Sequence, residues 1–445
     1  MSFVSFVFGT CTTAAGQTLY EGARLIAGDS SPVIERSAIL VDGGRITQVG
    51  QQGQIKAPAN VRRVDLAGKT IIPMLIATHV HPGFQIGAAY VRENYTAATI
   101  VNDLNRALYF GVSVAQSQGI ETGDVMDQVR ADQQAGQLAP TAKLLIAGRG
   151  IGSPNAGPGG ATYAGMAYEV TTEAESRKAV QELAARKVDI VKIWVDDRNG
   201  RAPKLAAPLY RAIIDEGHRH GLKVNAHVFY HADAVDLVDA GIDGFAHLVR
   251  DAVMDDALVA AIVKRGVFVM GNMSSPRKST YPSPPQWLSP GDPMTVLLTE
   301  SVSAAVLDRL RAYFGKRDAQ AVEGARQRYG ILEQSLAKLS RAGAKIILGA
   351  DTGLEDHLFG MAEQLELEAM VDAGMTPAGA IVAATSRSAE FLQLKGKGTL
   401  RAGMDADFVV LDANPLDAIA NTRRISRVVL GGADVDRRAL ASRLH

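Results

Sequence analysis

The sequence predicts a (β/α)8 barrel of the TIM type carrying a small β-sandwich built from the two ends of the chain. Three observations lead there. Between about residues 71 and 394, eight apolar, β-rich runs alternate with stretches of helical period. The flanking segments hold short strand-like pieces divided by Gly, Asp, Asn and Pro. His, Lys and Asp recur near the C-terminal ends of the apolar runs, the end at which such barrels carry their chemistry.

A chain of 445 residues is long for one small core. We therefore divide it into an N-terminal extension (1–16), a composite β-domain (17–70 with 396–445) and a catalytic barrel (71–395). The opening MSFVSFVFGTCTTAAGQ is apolar and then small, in the manner of an export signal, yet it lacks a basic start. Thr10 before Cys11 also spoils a lipoprotein cleavage box. It reads as an extension or an export relic, giving a cytoplasmic location or, in the second case, a periplasmic one.

Next, SAILVDGGRITQVG reads as a hairpin turning at Asp42-Gly43-Gly44. The eight barrel strands are TIIPMLIATHVH, GVSVAQSQ, AKLLIAG, DIVKIWV, LKVNAHV, DGFAHLV, VFVMGNM and AKIILGAD. Helices fall between them, among them LYRAIIDEGHRHG, DDALVAAIVKRG and RYGILEQSLAKLSRAG. The run AGRGIGSPNAGPGG contains a Gly-x-Gly after a strand. Pro154 and Pro158 interrupt it and no helix follows directly, so it is a barrel loop rather than a dinucleotide cradle.

Composition limits the partners. Lys plus Arg and Asp plus Glu balance at 47 each, with a pI near 7.1. That balance gives no overall field for nucleic acid or an anionic membrane and points to a small-molecule or dipeptide-like substrate. The single cysteine, Cys11, excludes an internal disulfide framework and a thiolate metal cluster. No run approaches the roughly 18 apolar residues that span a bilayer.

At the strand ends stand His79 and His81 (first), Lys192 (within the fourth), His227 (fifth), His247 (sixth) and Asp351 (eighth). One histidine on an apolar strand is ordinarily a packed core residue. Four, with a lysine and an aspartate at corresponding positions, are hard to ascribe to packing, and imidazole with carboxylate is a common Zn2+ ligand set. The i, i+2 spacing of His79 and His81 aims both side chains to one face, so the pair reads as two ligands of one metal. Lys192, between Ile190, Val191, Ile193 and Trp194, is either buried or turned outward to a helix acid. Burial would lower its pKa and free an amine able to take up CO2 as a carbamate.

PMLIATHVH, the strand lysine, the two later single histidines and LGADTG together resemble the amidohydrolase superfamily. Within it they resemble the imidazolonepropionase-like and prolidase-like hydrolases. The tail GMTPAGAIVAATSRSAEFLQL and GTLRAGMDADFVVLDANPL is similar to the last helices and returning β-domain of that group. The resemblance implies one divalent ion on His79, His81 and Asp351 and a second on His227 and His247. Lys192, as N6-carboxylysine, would bridge them. It implies Zn2+ first, with Co2+ or Mn2+ as alternatives, and a homo-oligomer. A hydroxide between the metals would attack, and Asp351 would carry its proton to the leaving amine. The chain departs from the group at Pro73-Met74 and at Ala77, where many members have Pro-Gly and Asp; the missing carboxylate bears on metal affinity.

Substrate-side candidates lie on the loops. Tyr230, after His227, is a candidate transition-state donor, with packing as the alternative; His231 reads as a helix start. Arg250 could bind a substrate carboxylate or pair with Asp251 or Asp197. His357 is either a support for Asp351 or substrate-facing, with a solvated loop histidine as the bland alternative. Trp287 and Tyr281, in a Pro- and Ser-rich loop over 274–293, are expected to cover the pocket or serve a subunit contact. The function expected is a binuclear hydrolase of an amide-type C–N bond in an N-acyl amino acid, dipeptide or xenobiotic carboxamide. The alternatives are a mononuclear deaminase or imidazolone-type hydrolase and, further off, a catalytically silent scaffold.

Overall fold

The computed structural model describes residues 16–159, 161–315 and 317–444. The expected extension therefore lies, apart from Gly16, outside the described residues. Both ends of the chain enter two small sheets. One orders Arg45–Gln51, Ser37–Asp42, Thr18–Glu21 and Arg62–Asp65. The other orders Arg24–Leu25, Thr70–Pro73, Phe408–Leu411, Ile425–Leu430 and Ala433–Asp434. Phe408 pairs with Pro73 and Leu411 with Thr70, so residues far apart in sequence share one ladder. The hairpin forms as expected because Gly43 and Gly44, at φ 54° and 81°, take the two left-handed positions of a tight turn. Tyr20, Ile39, Ile46, Ile71, Phe408 and Val429 form a common buried core, with the Tyr20 and Phe408 rings edge-to-face at 5.0 Å.

All eight apolar runs of the central segment contain strands. Leu75–Val80, Val112–Ser117 and Lys143–Leu145 form one parallel sheet. A second parallel sheet holds Ile190–Val195, Lys223–Val228, Gly244–Phe245, Phe268–Met270 and Lys345–Ile347. Hydrogen bonds join the two on both sides. Thr78 N–H donates to Leu348 O (2.9 Å) and His81 N–H to Thr352 O (2.7 Å) on one, and Asp189 N–H to Ile146 O (2.8 Å) on the other. Every residue of Leu75–Val80, Val112–Ser117 and Ile190–Val195 is buried, as expected of strands covered on both faces.

The helices follow the sequence signals with shifted ends. Ala207–Arg219 and Asp256–Arg265 lie where the pattern puts them. The second is capped by Asp255 and ends at Gly266 in the left-handed region. The third expected helix starts earlier, at Ala319, because Asp318 supplies the cap and a polar first half continues to Arg341. No helix among the described residues is long and apolar enough to cross a membrane.

The 274–293 loop departs from expectation. It folds into the short helix Ser274–Arg277 and two single turns, Lys278–Thr280 and Gln286–Leu288. Trp287 is buried against Phe314 (5.7 Å between rings), and Tyr281 packs on the same ring at 5.8 Å. The apolar bulk of these side chains packs on the neighbouring helix Ala304–Gly315, and neither Trp287 nor Tyr281 lines the cavity that holds the histidines.

Candidate metal centre

His79 stands on the strand Leu75–Val80 and His81 just past its end. Asp351 follows Lys345–Ile347 and holds a left-handed φ of 58°, unusual for a residue with a side chain. Such a conformation costs about 1–3 kcal/mol and needs outside support. Thr352 gives it: its N–H donates to His79 O (3.1 Å), its carbonyl accepts from His81 N–H, and its hydroxyl donates to the buried Glu363 carboxyl (2.5 Å). Gly353 sits so close that a Cβ there would lie 2.2 Å from His81 O, at a φ of 92°. Gly353→Ala should therefore cost roughly 2–4 kcal/mol of stability and weaken metal retention. Urea unfolding with and without added Zn2+ checks this; an unchanged midpoint would mean that the two strand ends do not touch.

The donor atoms converge. Asp351 Oδ1 lies 3.1 Å from His79 Nε2 and 3.0 Å from His81 Nε2, and the two imidazole nitrogens are 3.2 Å apart. Tetrahedral Zn2+ with bonds near 2.0–2.1 Å has ligand edges of about 3.3 Å, close to these separations. His79 Nδ1 donates to Ala246 O at 3.3 Å, which leaves its Nε2 bare. At His81, Nδ1 is buried without a partner. Two nitrogens and a carboxylate oxygen thus face one another with at most one proton among them, an arrangement that a cation fits.

His227 and His247 stand across the same cavity, their rings 4.7 Å apart and the His247 ring 5.1 Å from His79. His227 Nε2–H donates a hydrogen bond to Asp196 Oδ2 (3.0 Å), leaving Nδ1 bare. Asn272, with its amide nitrogen toward Gly349 O and Ala246 O, accepts from His247 Nδ1 (2.8 Å) and leaves Nε2 bare. Burial holds the imidazoles neutral, His79 down to about 3, His227 to about 4 and His247 well below the usual value. Neutral imidazole is the ligating form. The His79 and His81 side chains hold Asp351 well below the ordinary carboxylate range against its burial.

Lys192 is buried and lines this cavity of about 170 Å³ together with the four histidines and Asp351. It does not turn outward to a helix acid. Burial is the main cause that brings its ammonium down to about 7; Arg198 and Arg250 add to it and Asp351 opposes.

Among the remaining candidates, Arg250 lines the cavity and makes no ion pair with Asp197 or Asp251; Asp251 instead accepts from His231 N–H at the start of the helix His231–Asp239. Three others lie outside the cavity lining. Tyr230 donates to Asp197 Oδ1 (2.8 Å), an acceptor that also pushes its phenol up to about 12. His357 is fully buried, with Nε2 on Ala350 O (2.9 Å) and Ser274 Oγ (3.2 Å), so it supports the Asp351 loop. Trp287 is packed as described above. The hydroxyl in the lining is that of Tyr163, which is hydrogen-bonded to Tyr90.

Asp196, Asn272, Arg198 and Tyr163 escaped the sequence reading. For Asp196 a signal existed: Lys192, Trp194 and Asp196 alternate along one strand face, and the first two line the cavity. Asn272, at the mouth of the seventh strand, was equally legible. Tyr163 and Arg198 lie on loops with no periodicity.

The model of the amidohydrolase family matches residues 70–435. An enamidase of Eubacterium barkeri is 26% identical over 209 residues, covering 46% of this chain and 47% of the enamidase. The chain thus spans about half the length of that relative. An imidazolonepropionase of Halobacterium salinarum is 26% identical over 432 residues, covering 87% and 88% of the two chains. Among solved structures, an Xaa-Pro dipeptidase with bound methionine in its active site shares the fold at a TM-score of 0.74. It is 21% identical, with 94% of this chain and 99% of that one covered.

Proposed function

The chain belongs to the amidohydrolase family, and from that premise we propose that it is a hydrolase of amide-type C–N bonds with a two-cation centre. The observation that carries this is the convergence of His79, His81 and Asp351, with His227, His247 and Lys192 facing the same cavity. We read the parallel strands as a single (β/α)8 barrel, supported by the hydrogen bonds that join the two sheets at both sides. The end segments form its composite β-domain.

His79, His81 and Asp351 would hold one divalent cation, and Nδ1 of His227 with Nε2 of His247 the other. Zn2+ suits this nitrogen and oxygen set. Lys192 would be shared between them as a carbamate: neutral Nζ bonds to the carbon of CO2 and releases a proton. Cations bound here supply Lewis acidity and a water of lowered pKa. The protein supplies position and proton transfer. Asp351 Oδ1, 3.1 and 3.0 Å from the two imidazole nitrogens, would face the cation, leaving Oδ2 to take a proton and pass it to the leaving nitrogen. Asp196 and Asn272 fix the tautomers of His227 and His247. Substrates would be N-acyl amino acids, dipeptides or related carboxamides.

A mononuclear deaminase or cyclic-amide hydrolase is the second reading. It is favoured by the fact that, among the described residues, three donors alone lie within 4.8 Å of one another. Metal analysis of protein purified with bicarbonate and without chelator, alongside turnover of an amide panel, separates the two. Two equivalents per chain with amide hydrolysis are expected; one equivalent with ring opening of cyclic amides, or with release of ammonia from amino-substituted rings, would shift the assignment.

A further inference from the structure

Asn272 and Asp351 follow two paired strands, Phe268–Met270 and Lys345–Ile347. Both take a left-handed φ, 47° and 58°. Such a conformation is uncommon for residues with side chains and has to be held from outside. In both cases the holder is a glutamate of one helix, Met361–Asp372. Glu363 accepts from the Thr352 hydroxyl (2.5 Å) and from Gly360 N–H (2.7 Å). Glu366 accepts from Met273 N–H on Oε1 (2.9 Å) and from Ser274 N–H on Oε2 (2.7 Å). The anchored residues are thus the immediate successors of Asp351 and of Asn272.

The two glutamates stand three positions apart, which puts them on one side of the helix, and both are buried. Among the described residues no lysine or arginine faces either of them. Burial pushes Glu366 up to about 7 against the pull of its N–H donors, and Glu363 adds to the rise. Enclosing two carboxyl groups without a cation is costly, so packing alone does not account for them. The strand end also comes very close, since a Cβ on Gly271 would lie 2.9 Å from Glu366 Oε1.

We infer that the helix Met361–Asp372 sets the two candidate cation positions against each other: Glu363 fixes Asp351 for the first, and Glu366 is a positioning residue for the second, acting through Asn272 on His247. The assignment rests on the two-cation reading above. Glu366 holds Met273 and Ser274, and they hold the turn at Asn272. The Asn272 amide nitrogen then meets Gly349 O and Ala246 O, which leaves its oxygen for His247 Nδ1–H. Groups that orient ligating imidazoles are worth about 10- to 100-fold in metal affinity, and a residue one step further out belongs at the low end of that range.

The test titrates Zn2+ into the metal-free full chain against a chromogenic chelator, with bicarbonate present. Nitrogen-15 NMR of the same metal-free protein reads the imidazole tautomers. His247→Gln identifies both the His247 resonances and the equivalent of metal that depends on this ligand. Wild type should take two equivalents and carry the His247 proton on Nδ1. Glu366→Gln sets an NH2 against a main-chain N–H. It should weaken the His247-dependent equivalent about 10-fold, leave the other within a few-fold and shift His247 toward the Nε2–H tautomer, with circular dichroism confirming the fold. Gly271→Ala crowds Oε1 and keeps the carboxylate; it should act in the same sense and takes over if Glu366→Gln does not fold. Thr352→Val should weaken the other equivalent instead. In Asn272→Gly, which deletes the amide and suits the left-handed turn, adding Glu366→Gln should cost nothing further. No change in Glu366→Gln, equal loss of both equivalents, or losses that add to those of Asn272→Gly would overturn the inference and leave the two-cation reading intact. One equivalent in wild type, with a His247 tautomer that still shifts in Glu366→Gln, would overturn the two-cation reading and retain the route from Glu366 to His247.

Discussion

Replacing Lys192 with alanine is expected to lower amide hydrolysis roughly 10³-fold, about 4 kcal/mol of barrier, and to reduce bound metal from two equivalents to one or none. An amine enclosed among Ile190, Val191, Ile193 and the site residues is brought down to about 7, so half of it is neutral near physiological pH. A neutral amine captures CO2; a charged one does not. Stability should move the other way. Between about 7 and the ordinary value of 10.5 the unfolded chain binds more protons than the folded one at this position, so the metal-free protein gains stability as pH rises through that window. Lys192→Met removes the cost of burying an amine. It should raise the melting temperature of the metal-free protein while abolishing the second metal. Added acetate, able to occupy the vacated space in Lys192→Ala, should restore part of the rate. Near-normal turnover and two metals in the alanine variant would return Lys192 to a structural role.

The second large effect is expected of Asp351→Asn: a loss of roughly 10² to 10⁴-fold in kcat, the range of a positioned proton carrier. Asparagine keeps an oxygen for the cation and the same shape under the Thr352 clamp, so the loss of metal should be smaller than the loss of rate. Because the pKa of Asp351 is held well below its ordinary 3.8, wild type should keep a working carboxylate throughout the neutral and mildly acid range. Its contribution to stability is present above about pH 4 and disappears as pH falls toward the folded value. A kcat of Asp351→Asn within a few-fold of wild type would remove Asp351 from proton transfer.

The framework was legible because strand ends are periodic. Runs buried on both faces read as continuous apolar stretches, and any polar residue interrupting them, such as His79, Lys192, His227 or His247, is conspicuous. Side chains that leave a loop carry no such phase. Tyr230 follows His227 closely in sequence, yet its hydroxyl turns to Asp197, and Trp287 is claimed by Phe314. Tyr163 and Arg198 enter the cavity only because distant loops meet there. The same holds for the clamp on Asp351, since nothing in LGADTG announces that Thr352 will donate to Glu363.

The bridge between Val80 and Thr352 also bears on how the centre is born. His81 and Asp351 are separated by 270 positions, and bringing such distant points together costs roughly 5 kcal/mol of chain entropy. A cation held by both would therefore be a staple across almost the entire central segment, one that a chain lacking Asp351 could not form. A nascent polypeptide still short of Asp351 would offer this first position His79 and His81 without their carboxylate partner. Capture of a cation by His79, His81 and Asp351 together would accordingly come late in folding, and chelation of a loaded protein is expected to loosen the contact between Val80 and Thr352 first.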